Sequence, residues 1–188
     1  MSGRVVFMLE EPSMKVFLAE LLPRLVPAWK EGEHFLLVKH SGKSDLDRSI
    51  PIKLKAWREP GVRFVIVRDN DGADCLAAKA RLAGLCEGTG REAVIRLICQ
   101  ELEGWYLGDE QALLSAYPGH DRAIRKLTKR YADPDSCLKP SVELEREIPE
   151  FQKQDAARRL GSRLSPARGS STSCRVFAET VMTLALST

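Results

Sequence analysis

Three apolar runs of this chain end in carboxylates: Glu10 and Glu11 follow residues 5–9, Asp69 and Asp71 follow residues 62–67, and Glu101 and Glu103 follow residues 93–99. Segments with helical periodicity lie between them. Pro12 opens one in which Phe17, Leu18, Leu21, Leu22 and Leu25 share a face, as proline suits a first helical turn. Residues 34–38 read as a second strand and 45–57 as a helix that ends before Pro60. Residues 62–67 are a third strand, followed by a helix through Leu76, Ala77, Ala80, Leu82 and Leu85; residues 92–99 are a fourth strand and 102–116 a fourth helix. This alternation predicts an α/β domain with a doubly wound parallel sheet and right-handed crossovers. In such a sheet every strand ends on one edge, whose loops build the ligand crevice. Carboxylates gathered there raise one another's pKa unless a cation neutralises them.

The C-terminal third has a different character. Residues 123–131, 151–164 and 175–186 read as helices joined by polar connectors, and no strand pattern returns. The expected division is an α/β domain over residues 1–118 and a basic helical appendage over 119–188, packed on the same domain. Thirteen Lys and Arg against nine Asp and Glu fall from His120 to Thr188, which leaves the first 119 residues at −1.

Several classes are disfavoured by composition. No apolar run approaches the roughly 20 residues of a membrane helix, and the apolar N-terminal stretch is short and runs into glutamates, so a cytoplasmic protein without a membrane partner is expected. Five cysteines without a C-x-x-C pair suggest neither a disulfide framework nor a zinc knuckle. His34, His40 and His120 show no i, i+4 spacing, which argues against a zinc hydrolase. Carboxylates alone point to Mg²⁺ or Mn²⁺, hard ions that prefer oxygen.

The run Val67-Arg68-Asp69-Asn70-Asp71 places two carboxylates where a strand gives way to its loop. A solitary D-x-D is equally a turn, with Asp71-Gly72 making the bend and Asp74 capping the next helix. Adding a glutamate after strand one changes the balance, because strands one and three flank the switch point of a sheet ordered 2-1-3-4. With these residues in place, the chain resembles the Toprim fold, the metal-binding domain shared by topoisomerases, primases and the OLD (overcoming lysogenisation defect) nucleases. Leu9-Glu10-Glu11-Pro12-Ser13 with Phe17-Leu18 is similar to that family's V-E-G-x-[ST] turn. Glu10 stands for the family glutamate and Glu11 for the usual glycine, and which of the two faces a metal stays open. Arg68-Asp69-Asn70-Asp71-Gly72-Ala73-Asp74-Cys75 and Glu101-Leu102-Glu103-Gly104-Trp105-Tyr106-Leu107-Gly108-Asp109 resemble an uncharacterised bacterial Toprim-like family often encoded beside an AAA-type ATPase. Weaker likeness extends to Lys153 and to Ser173-Cys174-Arg175-Val176-Phe177.

The resemblance implies an Mg²⁺-dependent nuclease acting on DNA or RNA in phage or mobile-element defence, with an AAA-type ATPase partner. Asp69 and Asp71 would be principal ligands, Glu10 a ligand or general base, and Glu103 part of a second metal site, with Glu11 the alternative to Glu10. Lys153 and Arg175 would stabilise transition-state charge. Lys43 lies after strand two on the same predicted edge, so it is either a phosphate contact or a solvated turn lysine; Gly42-Lys43-Ser44 is no P-loop, since Leu37 stands where the first glycine belongs. Asp74, Glu101 and Asp109 are candidates for supporting the ligands, with helix capping or surface solvation the equal alternative for Asp74 and Asp109. Trp105 and Tyr106 are candidates for base stacking or for core packing, the latter the better prior. Arg122, Arg125, Lys126, Lys129 and Arg130 form a basic run that fits phosphate binding or a self-solvated face. A non-catalytic regulatory subunit that binds nucleic acid or the ATPase, a hydrolase of small phosphorylated molecules, and a homodimer stay open as alternatives.

Overall fold

The computed structural model describes residues 3–186. Its first half runs β1 (Val5–Leu9), α1 (Pro12–Leu25), β2 (Phe35–Lys39), α2 (Lys43–Ala56), β3 (Arg63–Asp69), α3 (Cys75–Cys86) and β4 (Ala93–Ile98). The four strands are parallel in the order β2-β1-β3-β4. Leu9 is in register with Lys39 and with Val67, and Asp69 with Ile98, so the strands end together at one edge. This is the α/β, Toprim-like arrangement expected from the sequence.

Alternation along the strands divides the core into two layers. Val5, Phe7 and Leu9 face α1 and the C-terminal helices, while Val6 and Met8 face α2 and α3. Both faces of β1 are buried, which is why it reads as an uninterrupted apolar run. Each such side chain stabilises the fold by about 1.5–3 kcal/mol through burial. Pro12 ends the strand: extended backbone at Glu11 passes directly into the first turn of α1.

The second half comprises α4 (Glu103–Leu107), α5 (Glu110–Ala116), α6 (Asp121–Arg130), a 3-10 turn (Pro134–Ser136), α7 (Pro140–Glu147), α8 (Lys153–Gly161) and α9 (Thr172–Leu186). The helix expected over residues 102–116 is therefore two helices. The break falls at Gly108 and Asp109, where the Asp109 carboxylate caps α5 by accepting from the Ala112 N–H at 3.1 Å. Gly108 packs so closely on the connector before α9 that a Cβ there would lie 3.0 Å from the Ser171 nitrogen. Helix α7 and the 3-10 turn were not expected from periodicity, being short and opened by prolines.

Residues from α6 to α9 share one apolar cluster with the inner face of the sheet: Leu127, Leu144, Leu160 and Phe177 join Phe7 and Phe17. Trp105 and Tyr106 belong to it, and Trp105 lies 5.9 Å from Phe17 and 5.2 Å from Phe177 between ring centroids. The base-stacking alternative for this pair is thereby corrected, since neither ring reaches solvent. Helix α8 lies against α1 through Gly161, whose missing side chain admits the Phe17 carbonyl; a Cβ would be 2.7 Å from that oxygen. Among the described residues no helix is long and apolar enough to cross a membrane.

Candidate metal centre

Glu10 is the first residue past β1, and its carboxylate accepts the Asp69 backbone N–H at 3.1 Å from the end of β3. It is buried, and burial pushes its pKa up to about 7, with Asp71 adding to the rise; Lys43, the Asp69 N–H and Arg68 oppose it. Asp69 is buried more deeply. Burial and then the charges of Glu10, Glu103, Glu11 and Asp71 lift its carboxyl well above the usual range. Four other carboxylates therefore act on Asp69 at once.

Asp71 lies in the turn beyond, in the left-handed region at φ 47°, followed by Gly72 at φ 78°. Its carboxylate is ion-paired with Lys43 at the start of α2. Lys43 is thus part of the cluster and not a freely solvated turn lysine. Asn70, between the two aspartates, holds the turn. Its side-chain oxygen accepts from the Gln100 N–H at 2.7 Å and the Gly72 N–H at 3.3 Å, and its amide donates to the Ala73 carbonyl at 3.3 Å and the Cys75 Sγ at 3.1 Å. The Asp71 N–H donates to the Gln100 carbonyl at 3.0 Å, which ties the loop after β3 to the loop after β4. Sequence reasoning missed Asn70 and Gln100 as positioning residues, although asparagine inside a D-x-D turn is a signal for such bonding.

Glu103 approaches from the first turn of α4 and is fully buried. Burial raises its pKa to about 7, with Glu11 and Glu101 contributing, while Lys153 pulls it down. The Lys153 ammonium stands 3.6 Å from Glu103 Oε1. Burial alone would lower the pKa of Lys153, but Glu103, Glu11, Glu101 and Asp69 together hold it above its ordinary value. Glu11 is half-buried and accepts the Ser13 hydroxyl. The choice between Glu10 and Glu11 is not exclusive: Glu10 belongs with Asp71 and Lys43, Glu11 acts on Glu103 and Lys153, and Asp69 feels both.

Other candidates have structural partners. Glu101 accepts from the Ser141 N–H at 3.1 Å and hydroxyl at 2.6 Å and pairs with Lys139 at 3.3 Å, anchoring α7. Asp74 caps α3 through the Ala77 N–H at 2.7 Å. Asp109 holds Arg168 in a two-point pair at 2.8 and 2.6 Å. Arg175, a candidate for stabilising transition-state charge, also has local partners. Its guanidinium donates to the Gly169 carbonyl and the Thr172 hydroxyl, both at 3.0 Å, closing the first turn of α9.

Among the described residues no three His, Cys, Asp or Glu side chains converge tightly enough to define a metal site by spacing alone. The donor chemistry nevertheless fits a hard cation. Asp69 Oδ1 and both Glu103 carboxylate oxygens are buried without a hydrogen-bond partner, and such acceptors cost free energy unless something positive meets them. Carboxylate oxygens are what Mg²⁺ and Mn²⁺ prefer.

Residues 9–185 match the family described as a domain of unknown function, DUF4276. No curated protein matches the chain. Among solved structures, the C-terminal region of the OLD protein of Xanthomonas campestris pv. campestris is similar with a TM-score of 0.59 at 13% identity, covering 98% of this chain and 97% of that one. The C-terminal region of the Burkholderia pseudomallei OLD protein gives a TM-score of 0.58 at 17% identity, covering 97% of this chain and 98% of that one. Likeness at this identity over nearly the whole of each chain shows a common fold. With the family match spanning almost the entire sequence, the chain belongs to the DUF4276 family and carries the fold of the OLD C-terminal regions.

Proposed function

We propose that this chain is a Mg²⁺- or Mn²⁺-dependent nuclease that cleaves phosphodiester bonds in DNA or RNA. The observation that carries the reading is the buried carboxylate cluster of Glu10, Asp69 and Glu103, with three acceptor oxygens that receive no hydrogen bond, at the strand-end edge of a parallel sheet. Glu10, Asp69 and Asp71 would hold one divalent ion, and Glu11 and Glu103, with Asp69 between, a second. When bound, such ions activate water and neutralise the leaving oxygen. Lys153, facing Glu103, would donate to a non-bridging phosphate oxygen, and Lys43 would exchange its pairing with Asp71 for the phosphate on the other side. Asn70 and Gln100 keep the aspartate turn in place. A partner AAA-type ATPase and a role in phage or mobile-element defence are supported by the sequence resemblance described above.

Two measurements on one variant test this. Wild-type protein should bind Mn²⁺ by calorimetry and nick plasmid or cut single strands, and Asp69→Asn should lose both while keeping its circular dichroism spectrum. Undiminished cleavage by Asp69→Asn would remove the assignment. Glu11 in place of glycine and the Lys43–Asp71 ion pair favour a second reading, a non-catalytic subunit. Such a protein would bind nucleic acid or its ATPase equally with and without Asp69→Asn and cleave in neither case.

A further inference from the structure

A cleft of about 460 Å³ opens between α1 and α8, lined among others by Pro12, Lys15, Glu20, Lys39, Gln154 and Arg158. It adjoins the carboxylate cluster through two chain continuities. Pro12 directly follows the Glu10-Glu11 pair, and Gln154 directly follows Lys153, whose ammonium faces Glu103. Lys39 is the last residue of β2 and is in register with Leu9, so it stands on the same sheet edge.

Three of the lining side chains are cationic and one is acidic. Lys39 and Arg158 are exposed and have no ion-pair or hydrogen-bond partner for their charged ends among the described residues. Lys15 is held only by a loose contact with Glu31 at 3.7 Å. Helical rise of 1.5 Å per residue puts Glu20 about 12 Å along α1 from Pro12, away from the carboxylate end. Arg158 lies about 7.5 Å along α8 from Lys153 by the same measure. The three cations come from α1, the end of β2 and α8 and line one cleft. A cleft with three cations from three elements beside the carboxylate edge suits the successive phosphates of a nucleic-acid backbone.

We infer that the α1–α8 cleft, through Lys15, Lys39 and Arg158, seats the backbone phosphates of a nucleic-acid strand and leads it to the carboxylate cluster. The inference rests on the nuclease reading for its direction, but the cleft can be tested without cleavage. The basic run on α6 is a weaker choice: Arg125 is paired with Glu110 at 3.1 Å and Arg130 with Glu143 at 3.4 Å, and α6 carries none of the clustered carboxylates.

The test compares two charge-reversal pairs by fluorescence anisotropy with a labelled oligothymidylate of about 20 nucleotides, across a salt series, in EDTA and in Mn²⁺. Lys39→Glu with Arg158→Glu should weaken binding at least about tenfold and lower the salt slope by about 2, one for each lost phosphate contact. Arg48→Glu with Lys79→Glu reverses the same charge on α2 and α3, on the opposite face of the sheet, and should change affinity less than about twofold. All variants should keep the wild-type melting curve, and Mn²⁺ affinity should be unchanged. Equal weakening by both pairs, or weakening by neither, would overturn the cleft assignment. A wild type that binds no Mn²⁺ yet loses strand affinity in EDTA through Lys39→Glu and Arg158→Glu would sink the nuclease reading while keeping the cleft.

Discussion

The backbone N–H of Asp69 donates to the carboxylate of Glu10 across neighbouring strands at 3.1 Å. One acid is thereby positioned by the main chain of the other, at the end of the β1–β3 ladder. The bond offsets only part of the cost of burial, since both groups stay well above the ordinary carboxylate range. The cluster is held together by the fold against its own repulsion.

Burial of these acids, with their mutual repulsion added, sets a pH dependence. Glu10 and Glu103 have an ordinary value of 4.5 and are pushed by burial to about 7 in the folded chain. Between those values the folded state holds protons that the unfolded state has released, so stability falls as pH rises through the window. Asp69 contributes with the same sign. Urea midpoints in EDTA should be lower near pH 7.5 than near pH 5, and saturating Mn²⁺ should restore the loss. A higher midpoint near pH 7.5 in EDTA would contradict the raised carboxylates.

Asp69→Asn should therefore stabilise the metal-free protein at about pH 8, by about 1 kcal/mol, by removing a carboxyl whose ionised form is opposed by burial and by four other carboxylates. Mn²⁺ binding should be lost in the same variant. Thermal melts in EDTA with calorimetry read both effects, and a large destabilisation would show that the Asp69 charge is needed for folding.

Lys153→Met should cost about 1–2 kcal/mol near pH 8, because it leaves Glu103 buried without its nearest cation. The loss should shrink near pH 5, where Glu103 takes up a proton. Combining it with Glu103→Gln should recover most of the stability, and a double-mutant cycle with no coupling would show that the 3.6 Å approach has no energetic weight.

Asn70→Ala removes bonds to Gly72, Ala73, Cys75 and Gln100 from a buried site and should cost about 2–3 kcal/mol in urea unfolding. Mn²⁺ affinity should fall about tenfold as the Asp71 turn loosens. Unchanged affinity would mean that the turn keeps its shape without the asparagine.

Asp109→Ala separates architecture from chemistry. The carboxylate caps α5, accepts the Ser165 N–H at 2.9 Å and holds Arg168 at two points, so its loss should cost about 3 kcal/mol. Mn²⁺ affinity measured below the unfolding transition should match the wild type. A selective loss of metal binding would return Asp109 to the candidate site.

Local sequence determined the sheet and the edge on which chemistry can occur. The run Val5–Leu9 followed by Pro12 leaves little freedom, because an apolar strand buried on both faces meets a residue suited to a first helical turn. The residues that follow strands one and three then had to meet at the switch point, which made Glu10, Asp69 and Asp71 legible from spacing alone. Tertiary structure decided everything that depends on contacts far apart in the chain. The break between α4 and α5 has a local part, the Asp109 cap, but the packing of Gly108 on Ser171 and the pairing of Asp109 with Arg168, 59 residues on, lie outside any local periodicity. The cation facing Glu103 is a lysine at the start of α8, which packing of α8 against α1 brings back to the sheet edge. Whether Glu10 or Glu11 faces the cluster could not be read from adjacent residues of like charge, and the fold brings both to bear on Asp69 because both follow β1 at the sheet edge where β3 ends.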